Sequence, residues 1–68
     1  HSAKNYNKTI TYATMVLRED SNNSTALLLR GDSYFRLKRN SDAKADLQRI
    51  VNDRTHGNTA QQILKQIK

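Results

Sequence analysis

The stretch LLLRGDSYFRL, running from Leu27 to Leu37, decides how the rest of the chain is read. It contains Arg30-Gly31-Asp32, a tripeptide that acts as a cell-adhesion signal when it sits at the tip of an exposed loop. The pattern around it is helical. Leu27, Gly31 and Tyr34 recur at i, i+4 and i+7, with Leu28, Asp32, Phe35 and Arg36 on an adjacent side. Successive helical residues turn by about 100°, so Arg30 and Asp32 diverge by about 200° and cannot project together from a loop tip. A glycine inside a helix costs about 1 kcal/mol relative to alanine. It is tolerated where two helices cross closely. Gly31 is therefore read as a packing position, expected to meet the small Ala43 of a following helix.

Working outward, three further helices emerge from apolar spacing. The first covers about Asn5 to Leu17, where Tyr6, Ile10, Ala13 and Leu17 share one face that Val16 widens. The polar run Asp20-Ser21-Asn22-Asn23-Ser24 breaks it, because short polar side chains compete for backbone hydrogen bonds. Ser24 is the expected N-cap of the second helix, which spans about Thr25 to Lys38. Arg39-Asn40 forms a tight connection. Ser41 is the expected cap of the third helix, with Asp42 in its first turn and Ala43, Leu47, Ile50 and Val51 as its apolar face. His56-Gly57 is expected to stop that helix, with the glycine in a left-handed conformation. Asn58 or Thr59 then caps a fourth helix carrying Ala60, Ile63, Leu64 and Ile67. The short connections imply antiparallel neighbours, hence stacked helical hairpins.

Composition agrees with an all-α fold. The 68 residues contain no proline and only two glycines, which argues against a turn-rich β architecture. Such a chain makes one small domain. Absence of cysteine excludes disulfides and thiolate chemistry. No apolar run approaches the roughly 18 to 20 residues of a membrane span. Twelve Lys/Arg against six Asp/Glu give a net charge of +6, which permits an acidic peptide, nucleic acid or an anionic membrane as partner. His1-Ser2 reads as a cloning remnant, and the chain as a piece of a longer protein. Its compartment stays open between the cytoplasm and the secretory route.

Offset against itself by about 34 residues, a period used by helical repeats, the chain aligns Thr9 with Ala43, Ala13 with Leu47, Val16 with Ile50 and Leu17 with Val51. Leu27, Gly31, Tyr34, Ala43, Leu47 and Ile50 fall at the spacings of a known pattern, and residues 24–57 resemble the tetratricopeptide repeat (TPR) family. Arg30 stands where that family usually has leucine, Thr9 where it has alanine, and Ser21 and Thr55 where it has proline. The resemblance implies antiparallel hairpins stacked as a right-handed superhelix. In the single domain 1–68, residues 3–23 would be the second helix and exit turn of one repeat. Residues 24–57 would be a complete repeat, and 58–68 a terminal or capping helix.

The same resemblance implies a non-catalytic interaction scaffold, of the co-chaperone or assembly-adaptor kind, whose first helices line a groove for a peptide or partner protein. Thr25, Leu28, Asp32, Phe35 and Arg36 match groove-facing positions. Leu28 and Phe35 would give apolar contact and Arg36 would pair with an acidic element. The carboxylate-binding Lys and Asn of the chaperone-binding subclass are replaced by Leu28, Leu29 and Asp32, so no such clamp is recognisable. Arg36, Lys38, Arg39 and Lys44 form a basic patch that leaves a nucleic-acid-binding module as an alternative. The patch lacks the several stacking aromatics of single-strand binders, since only Phe35 is free.

A third reading is a purely structural segment of a longer array, with Tyr6, Ile10, Ala13 and Leu17 exposed in isolation and driving self-association. No nucleophile–base pair or phosphate-cradling loop is recognisable, and no enzyme, cofactor or metal function is expected. His56 is read as a solvated loop residue. Asn7-Lys8-Thr9, Asn22-Asn23-Ser24 and Asn23-Ser24-Thr25 match the glycosylation acceptor pattern.

Overall fold

A computed structural model describes residues 3–67. These residues form four α-helices and no strand: α1 (Ala3–Glu19), α2 (Ser24–Arg36), α3 (Asn40–Gln48) and α4 (Gly57–Gln66). The all-α class expected from spacing is what the chain adopts. α2 packs against both α1 and α3, while α4 leans on α3 and more lightly on α2.

The core follows the apolar registers. Ala13 and Leu17 of α1, Ala26 and Leu27 of α2, Ala43 and Leu47 of α3, Ile50 beyond it, and Ala60, Ile63 and Ile67 from the α4 region form one cluster. Leu27 and Leu47 are fully buried at its centre. The α1 face expected to stand open for self-association is turned inward instead. Ala13 and Leu17 are buried, and Tyr6 and Ile10 are half-buried.

Gly31 is a packing glycine, buried on the side of α2 that meets α3. A Cβ at Gly31 would stand 2.7 Å from both Cγ and Cδ2 of Leu47 and 3.4 Å from Cβ of Asp46. Leu47 and Asp46 of α3 are thus the nearest side chains that a Cβ at this position would meet.

The helix ends differ from expectation in instructive ways. Asn23, not Ser24, caps α2: its backbone is extended and its Oδ1 accepts from the Ala26 N–H at 2.9 Å. Asn and Ser are comparable caps, and here the residue one step earlier takes the role. At the other end Lys38 adopts φ 63°. The Lys38 N–H donates to Phe35 O at 3.0 Å and the Arg39 N–H to Tyr34 O at 2.8 Å. These are the two bonds of a Schellman motif, with a lysine where glycine is usual.

Ser41 does not cap α3. Arg39 holds the N-cap position without a side-chain cap bond, and its carbonyl accepts from the Ala43 N–H. α3 also ends at Gln48, well short of His56. Arg49 and Ile50 donate to carbonyls three residues back, so the helix tightens and unwinds into a series of turns.

Gly57 opens α4 instead of closing α3, and no glycine has positive φ. Its lack of a side chain serves close approach: a Cβ there would lie 2.7 Å from the carbonyl oxygen of Val51. That carbonyl also accepts from Gln61 Nε2 at 2.7 Å, which pins the α3–α4 corner. Neither Asn58 nor Thr59 is the cap of α4; His56 occupies that position without a side-chain cap bond. The turn ahead of it is organised by Asp53, whose Oδ2 accepts from the N–H groups of His56 at 2.8 Å and Thr55 at 3.0 Å.

Candidate functional site

α2 and α4 converge so that Leu28, Leu29, Asp32 and Arg36 of the first face Thr59 and Ile63 of the second across an open groove of about 340 Å³. Residues four apart on a helix share a face, which brings Leu28, Asp32 and Arg36 into one row. The spacing of Thr59 and Ile63 supplies the opposing wall. Leu28 is half-buried, Leu29 is 42% exposed, and Ile63 roots the far side in the core. The floor is apolar and one end is polar, where Arg36 Nε lies 3.5 Å from Asp32 Oδ1. Both partners are well exposed, so this i,i+4 pair contributes a few tenths of a kcal/mol at most. It leaves both charges available to a ligand.

Three of the five groove residues expected from the sequence therefore meet. Phe35 is not part of the lining; it packs half-buried against the core. Thr25 is engaged elsewhere, with its Oγ1 3.0 Å from His56 Nε2. Leu29, Thr59 and Ile63 were not anticipated. The i,i+4 pair on the fourth helix was the available signal, and it becomes legible only once α4 is known to lean back on α2.

Asp32 and Arg36 belong to the groove, while Arg30 points the other way and is committed to structure. Its Nε and Nη2 donate to the two carboxylate oxygens of Asp46 at 2.7 and 2.8 Å, and its Nη1 donates to Thr14 Oγ1 at 3.2 Å. One guanidinium thus links α1, α2 and α3. The hydrogen bonding that Arg30 donates to Asp46 is the main cause that holds the Arg30 pKa above its ordinary value, against the opposing effect of burial. Asp46 supplies the counter-charge of Arg30 from α3.

The basic patch is partly neutralised. Arg36 faces Asp32, and Arg39 pairs with Asp42 at 2.8 Å while its guanidinium stacks 4.7 Å from the Tyr34 ring centre. Lys38 and Lys44 are exposed.

His56 is not simply solvated. Its ring reaches Thr25 and its backbone N–H is held by Asp53. That bond is the first cause of the lowered Asp53 pKa, with Thr55, Ser24 and the His56 charge adding in the same direction. Among the described residues no group of three His, Cys, Asp or Glu side chains could hold a metal ion. His1 lies outside the described residues.

Of the sequon asparagines, Asn7 and Asn22 are exposed, Asn22 Oδ1 accepting from Arg49 Nη2, while Asn23 is occupied as the α2 cap. Among the described residues no helix is long and apolar enough to cross a membrane. Compared with protein-family models, with curated proteins and with solved structures, the chain matches none.

Proposed function

We propose that this chain is a TPR-like, non-catalytic scaffold whose α2–α4 groove receives a short segment of a partner protein. The observation that carries the reading is the groove itself. Two helices separated by an intervening one meet along Leu28, Leu29, Asp32, Arg36, Thr59 and Ile63 to leave an apolar trough with a charged end. Pairing of alternate helices is what stacked hairpins produce, and the order in which α1 to α4 touch is compatible with such stacking.

The ligand this trough suits has apolar side chains for Leu28, Leu29 and Ile63. It also carries an acidic group for Arg36, whose partner Asp32 is 3.5 Å away and weakly held. Exposed apolar side chains gathered on one face mark interaction surfaces.

The test is affinity for a partner captured on immobilised chain, measured with the original protein and with Leu28→Ala, Ile63→Val and Arg36→Glu. Loss of about tenfold or more in Kd on Leu28→Ala or Arg36→Glu, with helical circular dichroism retained, is expected. Unchanged affinity in folded variants removes the groove from the reading.

A further inference from the structure

A second surface lies outside the α2–α4 groove and shares no residue with it. Lys4, Asn7, Lys8, Thr11, Tyr12 and Met15 line an open depression along one side of α1. Spacings of three and four put these residues on one face. Tyr12 is 64% and Met15 59% exposed, the two most exposed large apolar side chains of the described chain.

The hydroxyl of Thr11 donates to Asn7 O at 3.1 Å, so the threonine is satisfied within its own helix. The face is divided along its length: lysines at the amino end, apolar groups at the carboxyl end. From Lys4 to Met15 it extends about 17 Å, at about 1.5 Å per residue.

The charges decide the occupant. Lys4 and Lys8 make no ion pair among the described residues. The first turn of α1 contains no acidic residue. Two unpaired cations one turn apart on a helix face repel each other and favour a partner of opposite charge. A carboxylate-bearing partner would relieve that repulsion, while Met15 is a side chain that adapts to whatever packs on it.

Two lysines neutralise only about two phosphates, too few for firm nucleic-acid binding. One tyrosine and one methionine bury too little apolar surface to anchor a membrane-bound face. We infer that the outer face of α1 docks an acidic amphipathic helix of a partner protein, its carboxylates over Lys4 and Lys8 and its apolar side chains against Tyr12 and Met15.

The experiment uses the 68-residue chain and a fluorescent synthetic helix of about 18 residues, five turns at 3.6 residues each, built from Glu, Leu and Ala. A charge-swapped version, with Lys for Glu, is the control. The acidic probe should bind more tightly than the basic one and perturb backbone amide resonances between Lys4 and Met15. Lys4→Glu with Lys8→Glu should weaken the acidic probe by about tenfold and let the basic probe bind. Tyr12→Ala should weaken it several-fold with the fold intact, since the side chain is exposed.

Equal binding of both probes would overturn the inference. So would resonance changes at Leu28 and Ile63 in place of α1, an outcome that would leave the groove reading standing. Anionic vesicles or a single-stranded oligonucleotide that bind more tightly than the acidic helix, and lose binding in the same lysine variants, would also overturn it and give the face to that ligand.

Discussion

Arg30 and Asp46 are joined side-on by two parallel hydrogen bonds of 2.7 and 2.8 Å, with the arginine side chain 20% and the aspartate 6% exposed. The burial is unequal, so the two halves of the pair are not equivalent. Arg30→Ala leaves a buried carboxylate unpaired and should cost about 3 kcal/mol of unfolding free energy. Asp46→Ala leaves a guanidinium that still reaches Thr14 and water, and should cost less. Replacing both, as Arg30→Met with Asp46→Leu, should return stability to within about 1 kcal/mol of the original or above it. Urea unfolding of the four proteins decides this; two equal, sub-kilocalorie losses would show that the pair holds nothing together.

Gly31→Ala tests the α2–α3 crossing. Helix propensity alone would reward alanine by about 1 kcal/mol. The new Cβ, however, would stand 2.7 Å from Leu47 Cγ, and Leu47 is fully buried. Overpacking of this kind costs about 1–3 kcal/mol, so a net loss of about 1 kcal/mol is expected. In a double-mutant cycle with Leu47→Ala the two losses should be less than additive, because the obstructing atoms are gone. A gain in melting temperature for Gly31→Ala alone would show that Leu47 withdraws freely.

Lys38→Gly should stabilise the chain. A side chain at φ 63° carries a steric cost of about 1–2 kcal/mol that glycine lacks. Part of this is offset by the larger entropy that glycine loses on folding. The expected gain is about 0.5–1 kcal/mol by thermal or urea unfolding. A loss would mean that the lysine side chain contributes a contact worth more than its backbone strain.

Asp53 gives a pH dependence with a defined sign. Its folded-state pKa is lowered below the ordinary aspartate value, first by the His56 N–H that its carboxylate accepts. Its contribution is therefore present above the unfolded-state value of about 3.9 and disappears as pH falls through the lower folded-state value. Asp53→Asn should be less stable than the original at neutral pH, and the two proteins should converge as acid is added below about pH 4. A stability difference that persists unchanged down to pH 2 would exclude this origin.

Helix existence was legible because apolar residues repeat faithfully: Ala13 with Leu17, Leu27 with Gly31, Ala60 with Ile63 and Ile67 all face inward. Helix ends were harder, since capping is decided by competition among adjacent side chains. Asn23 and Ser24 are both good caps, and it is Asn23 that has the extended backbone and accepts from the Ala26 N–H. Gly57 misled because glycine serves two purposes, positive φ and close approach, and here the Val51 carbonyl requires the second.

The Arg30–Asp46 pair spans 16 positions in sequence, so neither residue announced the other. The groove was half legible. α2 showed its own row of Leu28, Asp32 and Arg36, but the wall from Thr59 and Ile63 depends on how α4 swings back after the turns beyond Gln48. Phe35, expected along the groove, is half-buried against the core and lies outside the groove lining, at the margin of the apolar stripe where periodicity alone does not separate the two.

Burial of Gly31 and clasping of Arg30 have a practical corollary for cell-attachment assays. An integrin-type receptor would need all three residues of the tripeptide on an accessible hairpin, and in the native molecule the middle one is covered by Leu47 while the first is tied down by Asp46. Surfaces coated with heat-denatured or adsorption-damaged material would uncover the epitope. Adhesion measured on such plates should therefore rise with loss of ellipticity and vanish on carefully preserved preparations.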